Sequence, residues 1–345
     1  MTGTISFGIL GSGNMAQVYA DALATQVEGG RLAAVALGSR AESFATANGA
    51  DAVTSAEALL ARPDVEVVVV TTPHSTHLPL ALAAAAAVKH VYLEKPMALT
   101  TAECDEIIRA CRSAGVHLTV AKQTRHFQMS MRAMELLRDG AIGELRIVRA
   151  MSPITGWELP EGHWLSGEGE GDCFLDWGAH CCDAFRWFTG SEAVRAYADY
   201  ANFGAIDARW PTALAQFRMA DGTICQAFLS YEIPPPGLGT NSNNQYQLIG
   251  SEGILEWDLD RVRLGRGEAW ETVWELPTWI APFEPRNPRR IGNTARQVQD
   301  FVDALRQGRT PSISGEDGRA AIEMAEAASR SAETGHAVTL PHAQG

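Results

Sequence analysis

The sequence predicts an α/β domain followed by an α+β domain, and three observations support this prediction. In the first 122 residues, short β-branched runs alternate with helical patterns, which is typical of strand–helix–strand units in a parallel sheet. In the later residues, strand patterns follow one another with turns between them, which indicates a mostly antiparallel sheet. The length of 345 residues also exceeds one typical domain of roughly 150 residues.

The chain opens with a strand, a glycine turn and a helix. An apolar run at 5–10 precedes Gly11-Ser12-Gly13-Asn14-Met15-Ala16, and apolar residues then recur at helical spacing. In this context the pattern GxGxxA is a dinucleotide-binding fingerprint, because Gly11 permits the turn and Gly13 lets the backbone approach a pyrophosphate. The predicted cofactor contacts in this turn are Gly11, Ser12, Gly13, Asn14 and Met15.

The alternation of strands and helices continues to residue 122. Strands are predicted at 31–37, 52–53, 65–70, 91–93 and 117–120, and helices at 42–48, 55–61, 78–88 and 100–114. Ser55 and Thr100 are suited to capping two of these helices, and Glu103 completes a capping box with Thr100. We place a dinucleotide-binding domain at 1–122 and a second domain at 123–345, and leave open whether the C-terminal helices pack back on the first domain.

Polar residues follow several of these strands, at the edge of a parallel sheet where ligands bind. The predicted cofactor contacts there are Thr72, Pro73, His74 and His77 after the strand at 65–70, Glu94 and Lys95 after the strand at 91–93, and Gln123 after the last strand. Two of these predictions have structural alternatives. His77 is equally suited to capping or packing, and Glu94 with Lys95 to an ordinary ion pair in a loop.

The end of the second strand bears on the choice of cofactor. An NAD enzyme usually places Asp or Glu there to bind the ribose hydroxyls, and this sequence has Ser39 and Arg40 instead. A hydroxyl and a guanidinium can bind a 2′-phosphate, so the sequence favours NADP, with NAD possible. The alternative is that Arg40 opens the next helix, with Glu42 close enough to compete for it.

The second half contains several candidate strands and three helices. Strands are predicted at 144–151, 193–200, 212–219, 223–233, 245–249, 254–259 and 261–264, and helices at 130–138, 294–307 and 318–334. Asp221-Gly222 is a hairpin signal between two of the strands.

A group of ionisable residues lies inside this half. If 177–188 is helical, Asp176, His180 and Asp183 share one face of the helix. A histidine between two carboxylates suits a proton shuttle, although a histidine held by a carboxylate on a helix surface is the structural alternative. Cys181-Cys182 beside His180 lacks the usual metal-ligand spacings, so we predict no metal site and six reduced cysteines.

Composition excludes some classes of partner. A formal charge of −13 argues against nucleic acid and against an anionic membrane surface. No apolar segment has the length of a membrane span, and the residues before the first strand lack the pattern of a signal peptide. We therefore expect a cytoplasmic protein.

Five segments together resemble the Gfo/Idh/MocA oxidoreductases over essentially the whole chain. They are Gly11-Ser12-Gly13, Thr72-Pro73 with His77, Glu94-Lys95-Pro96, Asp176 with His180, and Ser331-Ala332-Glu333-Thr334-Gly335. The resemblance implies a Rossmann domain followed by an α+β domain with an open, mostly antiparallel sheet. The resemblance also implies that the exposed face of this sheet packs in homodimers or homotetramers.

The resemblance also implies NAD(P)-dependent oxidation of a secondary alcohol, or reduction of the ketone, on a sugar, polyol or sugar derivative. Lys95, Asp176 and His180 would be catalytic, with the division of the proton between Lys95 and His180 left open. The predicted substrate contacts are Arg125, His126, Trp157, His163 and Trp164, together with Asp176 and His180. Two alternatives are redox-assisted NAD-dependent glycoside cleavage and a non-catalytic ligand-sensing regulator of the same fold.

Overall fold

The structure, a computed structural model, describes residues 3–155, 163, 166, 169–235, 237, 245–258, 260–276 and 287–340. The chain divides into two compact units, of which the first takes residues 1–126 and 280–320 and the second takes 127–279 and 321–345. The sequence placed the division after residue 122. The first unit also includes a C-terminal segment, which the prediction had left open.

The first unit is built on a six-stranded parallel sheet. Its strands are β1 (Ile5–Leu10), β2 (Gly30–Ala36), β3 (Asp51–Ala52), β4 (Val67–Val70), β5 (His90–Leu93) and β6 (Leu118–Val120), in the order β3-β2-β1-β4-β5-β6. The direction of winding reverses between β1 and β4, and ligands of open α/β sheets bind at such a switch point. The predicted Rossmann architecture is confirmed.

Helices connect these strands. They are α1 (Asn14–Thr25), α2 (Ala41–Ala47), α3 (Ala56–Leu60), α4 (His77–Ala86) and α5 (Thr101–Ala114). Both predicted caps are present, because the Ser55 hydroxyl accepts the Ala58 N–H at 3.2 Å and the Thr100 hydroxyl accepts the Glu103 N–H at 3.2 Å. These bonds satisfy N–H groups that a helix start leaves without a backbone acceptor.

A C-terminal helix, α8 (Pro288–Gln307), completes the core of the first unit. Phe301 of α8 meets Tyr92 of β5 edge-on at 5.6 Å between ring centroids, and Tyr92 meets Tyr19 of α1 at 5.2 Å. All three rings are fully buried. Truncation of a buried aromatic side chain to alanine costs about 3 to 5 kcal/mol, so α8 is an integral part of this unit.

The second unit is built on a nine-stranded sheet. Its strands are β7 (Leu145–Thr155), β8 (Ala193–Ala201), β9 (Thr212–Met219), β10 (Ile224–Ile233), β11 (Gln245–Gly250), β12 (Ile254–Trp257), β13 (Arg261–Arg266), β14 (Ala269–Glu275) and β15 (Val338–Thr339), in the order β14-β13-β12-β11-β7-β10-β9-β8-β15. β7 and β10 are parallel, and every other pairing among the described strands of this sheet is antiparallel. The predicted mostly antiparallel sheet is confirmed.

One face of this sheet is covered and the other is open. Its helices are α6 (Gln128–Arg138), α7 (Ala179–Thr189) and α9 (Gly315–Thr334), of which α9 begins among residues of the first unit. Phe185 of α7 packs on Phe217 of β9, with ring centroids 6.1 Å apart. Buried and exposed positions alternate along β8 and β9. The side chains on the face of the sheet away from α7 therefore point into solvent.

Some predicted boundaries are wrong. Strands β14 and β15 were not predicted, and α8 begins at Pro288 rather than at residue 294. The helix predicted at 177–188 is present as α7, and a π-helical turn, Phe174–Gly178, precedes it. Across the described ranges, no helix has the length and apolar character needed to cross a membrane.

Candidate active site

The glycine turn joins β1 to α1 at the switch point of the first sheet. Gly11 has a φ of +116°, and a Cβ added there would lie 2.5 Å from the hydroxyl oxygen of Thr71, so only glycine fits. At Gly13 an added Cβ would meet nothing within 4 Å. No packing demand within the described chain therefore explains Gly13, which fits a backbone left open for a ligand.

The start of α1 is also available to an anion. The helix has no side-chain cap hydrogen bond and no acidic residue in its first turn. Its first N–H groups and the positive end of its dipole therefore lack the usual protein partners. Asn14 is exposed and Met15 half-buried at this end, as a dinucleotide diphosphate would require.

The end of β2 lies beside the same turn. Gly38 has a φ of +90°, and a Cβ added there would lie 2.3 Å from the Ser12 hydroxyl oxygen. Ser39 and Arg40 follow on the surface, with Arg40 at the N-cap position of α2. Among the described residues, no carboxylate bonds the Arg40 guanidinium, so the predicted competition from Glu42 is not seen.

His77 holds two loops of the first unit together. Its ring nitrogens lie 2.8 Å from the Pro96 carbonyl oxygen and 3.0 Å from the Thr72 carbonyl oxygen, and the side chain is 1% exposed. Carbonyl oxygens only accept, so both contacts are hydrogen bonds when both ring nitrogens carry a proton. This geometry fits the packing alternative, and the cofactor contact of His77 stays a prediction. His74 is buried 5.9 Å from it between ring centroids, while Pro73 is exposed and Thr72 half-buried.

The Glu94 side chain points into the first unit. Its carboxylate accepts the Tyr19 hydroxyl at 2.7 Å and the Lys95 N–H at 3.0 Å, and the side chain is buried. Burial raises the pKa of Glu94, against the stabilising effect of Tyr19 and Lys95. The bond to the Lys95 N–H fixes the backbone of Lys95, which is half-buried, and the cofactor contact of Glu94 stays a prediction.

The residues after β6 are tied to the C-terminal segment. Arg125 forms an ion pair with Asp317 at 3.0 Å, and the His126 carbonyl accepts the Arg296 side chain at 2.8 Å. The ion pair accounts for the position of Arg125 without a substrate. The side-chain nitrogen of Gln123 is buried with no hydrogen-bond acceptor among the described residues, which fits its predicted contact with a ligand.

Asp176 lies in the π-helical turn of the second unit. The turn is fixed by Asp172, whose carboxylate accepts the Leu175 N–H at 2.7 Å and the Ser329 hydroxyl at 2.9 Å. The Asp176 carboxylate accepts the Tyr231 hydroxyl at 3.2 Å, and both residues are buried. Single π-helical turns occur frequently at functional sites, where they change the direction of a side chain.

His180 follows in the first turn of α7 and is 8% exposed. Its ring lies edge-on to Trp177 at 5.6 Å between centroids. Asp183 is fully buried on the same helix and Asp176 lies in the turn before it, so all three side chains lie in the buried part of the unit. A neutral imidazole with carboxylates near it can accept and return a proton close to neutral pH.

His163 is placed near this group. Burial lowers the pKa of His163, and the negative charge of Asp176 opposes that effect. The predicted substrate contacts Trp157 and Trp164 lie outside the described residues. All six cysteines are buried and free, and no cluster of three or more possible metal ligands occurs among the described residues.

Sequence reasoning missed three residues that shape these sites. Tyr19 and Tyr231 hold Glu94 and Asp176, but each lies at least 55 residues from its partner and no local pattern marks it. Arg290 approaches the first turn of α1, where its guanidinium lies 2.9 Å from the Met15 sulfur. Asn287-Pro288 is a helix-start signal that would have placed Arg290 in a first turn, an unusual position for a cation.

Comparisons with known proteins agree with this geometry. Residues 5–122 match the family described as "Oxidoreductase family, NAD-binding Rossmann fold", and residues 130–256 match the "GFO/IDH/MocA C-terminal domain". A 1,5-anhydro-D-fructose reductase of Ensifer adhaerens is 27% identical, over 97% of this chain and 98% of the relative. An inositol 2-dehydrogenase of Acidothermus cellulolyticus is 28% identical, over 97% of this chain and 94% of the relative.

A solved structure is similar over the full length. The crystal structure of GenD2 from gentamicin A biosynthesis, in complex with NAD, has a TM-score of 0.84 and 27% identity, and covers 99% of this chain and 98% of its own. Both domains of the family are matched in order, and the glycine turn and the Asp176–His180 group lie in the corresponding units. The chain therefore belongs to the GFO/IDH/MocA family of oxidoreductases with an NAD-binding Rossmann domain.

Proposed function

We propose that the protein is a dehydrogenase or reductase that interconverts a secondary alcohol and a ketone on a sugar, polyol or sugar derivative. The observation that carries the proposal is the buried group of Asp176, His180 and Tyr231. Burial of polar side chains costs free energy, so three of them buried in one region indicate a function. A proton acceptor beside a carboxylate serves this reaction. The names of the relatives, an anhydrofructose reductase and an inositol dehydrogenase, support a carbohydrate substrate.

In the proposed reaction, His180 takes the proton of the substrate hydroxyl and Asp176 orients the substrate. A bound nicotinamide would accept the hydride from the carbon that carries this hydroxyl. Lys95 stabilises the negative charge that develops on the oxygen. The Glu94 hydrogen bond to the Lys95 N–H fixes the backbone from which the lysine extends.

We propose NADP as the preferred cofactor. Ser39 and Arg40 are exposed at the end of β2, beside the glycine turn, and no Asp or Glu occupies the usual NAD position. The exposed Arg40 guanidinium, which no carboxylate bonds within the described chain, has donors available for a 2′-phosphate.

We also propose a homo-oligomer that forms through the open face of the nine-stranded sheet. Arg149 of β7 lies at the centre of this face. Its guanidinium donates to the side-chain oxygens of Gln226 of β10 and Gln247 of β11, each at 3.1 Å. Leu214 and Tyr197 are exposed on the same face, 50% and 43% respectively. A row of satisfied polar side chains beside exposed apolar ones is suited to an interface between identical copies.

The enzymatic proposal is tested with a panel of sugars, inositols and their ketones with either cofactor. The absorbance of the reduced nicotinamide reports turnover. We expect at least one polyol or anhydro sugar to be oxidised, or its ketone reduced. Absence of turnover across the panel, combined with cleavage of an aryl glycoside without added cofactor, would favour glycoside cleavage instead.

A further inference from the structure

Arg290 is a cation in an unusual place. It lies in the first turn of α8, a helix with no acidic residue in that turn, and its guanidinium donates to the Met15 sulfur in the first turn of α1 at 2.9 Å. The positive ends of two helix dipoles therefore meet at one side chain. A cation is disfavoured at either end, whereas an anion is favoured at both.

The protein gives Arg290 little compensation for this position. Among the described residues, the Met15 sulfur is its hydrogen-bond acceptor, and a thioether is a weak one. A guanidinium carries five N–H donors, so most of them are left for another partner.

Glu94 is the nearby negative charge, but it is already engaged. Its carboxylate accepts the Tyr19 hydroxyl and the Lys95 N–H. Burial lowers the pKa of Arg290, and the charge of Glu94 only partly opposes that effect. Glu94 thus balances part of the charge without providing the missing acceptors.

The surroundings of Arg290 are those of a phosphate site. The first turn of α1 follows Gly13, where an added Cβ would meet nothing within 4 Å, and it has no side-chain cap. Phosphate oxygens accept charge-assisted hydrogen bonds from guanidinium groups and from N–H groups at a helix start. The backbone of Arg290 is held in place, because Asn287 caps α8 and α8 is part of the unit core.

We propose that Arg290 binds the diphosphate of the dinucleotide, together with the first-turn N–H groups of α1. The inference rests on the dinucleotide binding of the proposed function and not on the choice between NADP and NAD. Because both cofactors contain the diphosphate, Arg290 raises the affinity for both equally, whereas Arg40 acts on NADP alone.

Isothermal titration of the full-length protein tests this role without any turnover. The ligands are NADP⁺, NAD⁺, ADP-ribose, which keeps the diphosphate, and adenosine, which lacks it. We expect Arg290→Met to raise the Kd of the first three by about 10- to 100-fold, the range for charge-assisted hydrogen bonds. The Kd of adenosine should stay unchanged. Arg112→Met, which removes an exposed arginine paired with Glu316, is the matched control.

Two results would overturn the inference. One is an unchanged Kd for ADP-ribose in Arg290→Met. The other is an equal loss for adenosine, which would show that Arg290 supports the unit as a whole. If the Met variant does not fold, Arg290→Gln replaces it with the same expected outcomes. A native protein that binds neither NADP⁺ nor NAD⁺ would instead contradict the proposed function itself.

Discussion

The Tyr231 hydroxyl donates a hydrogen bond to the Asp176 carboxylate at 3.2 Å, and this bond joins β10 to the π-helical turn. Burial and the charge of Asp176 hold the pKa of Tyr231 well above its ordinary value. The tyrosine therefore remains a donor throughout the physiological pH range. Asp176 is thus held by a neutral group in a region from which water is largely excluded.

Removal of this hydroxyl should impair turnover more than folding. Tyr231→Phe leaves the Asp176 carboxylate with one donor fewer, and we expect kcat to fall about 5- to 50-fold with little change in cofactor affinity. Steady-state kinetics and cofactor titration measure both quantities. Tyr197→Phe removes an exposed hydroxyl of the same unit and should leave kcat unchanged. A native kcat in Tyr231→Phe would exclude the positioning role.

Cofactor preference should depend on the end of β2. The native protein should use NADP more efficiently than NAD, and Arg40→Ala should lower kcat/KM for NADP about 10- to 100-fold without affecting NAD. Ser39→Asp should shift the preference toward NAD, because a carboxylate repels the 2′-phosphate. Better use of NAD by the native protein, unaffected by Arg40→Ala, would contradict this interpretation.

Association should depend on the open face of the second sheet. We expect light scattering at micromolar concentration to give the mass of a dimer or tetramer, and Leu214→Asp to lower it, because a charge then lies in the interface. Val88→Asp places the same charge on an exposed apolar position of the first unit and should have no effect. A monomeric native protein would refute the proposed interface.

Stability should decrease in mild acid because of His90. Burial, with a smaller effect of His117, lowers the pKa of His90 to about 4, and the neutral Nδ1 accepts the His117 N–H at 3.0 Å. The unfolded chain, with an ordinary histidine pKa near 6.5, binds the proton more tightly. The contribution of His90 is therefore complete above about pH 6.5 and is lost as the pH falls toward 4.

The comparison of variants isolates this contribution. Since His90 is partly exposed, we expect a loss on the order of 1 kcal/mol between pH 6.5 and 4, measured by urea unfolding. His90→Asn keeps an acceptor for the His117 N–H and should show a smaller loss over that range. Identical curves for the native protein and His90→Asn would show that His90 plays no part.

The sequence predicted the elements whose signals are local. The glycine turn, the valine run of β4 and the caps at Ser55 and Thr100 each follow from neighbouring residues, and the structure contains all of them. Strand β14 has exposed charged residues, among them Glu271 and Glu275, and so lacks an apolar pattern. β15 has only two residues, too few for any periodicity.

The candidate sites show the same limit. Asp176 and His180 were predicted because they are close in the sequence, but the π-helical turn between Phe174 and Gly178 could not be, since it changes the helical period without a distinctive composition. The inward direction of Glu94 depends on Tyr19, which is 75 residues away. Such contacts follow from the tertiary packing of α1 against β5, which the local sequence does not specify.

The most direct test of the proposed function compares turnover in the native protein, His180→Ala and Lys95→Ala, with the best substrate of the panel. A positioned acid–base group usually contributes about 10²- to 10⁴-fold, so we expect losses in that range with modest change in the Kd of the cofactor. A loss in only one variant would identify the residue that moves the proton. Native turnover in both variants would contradict the proposed active site.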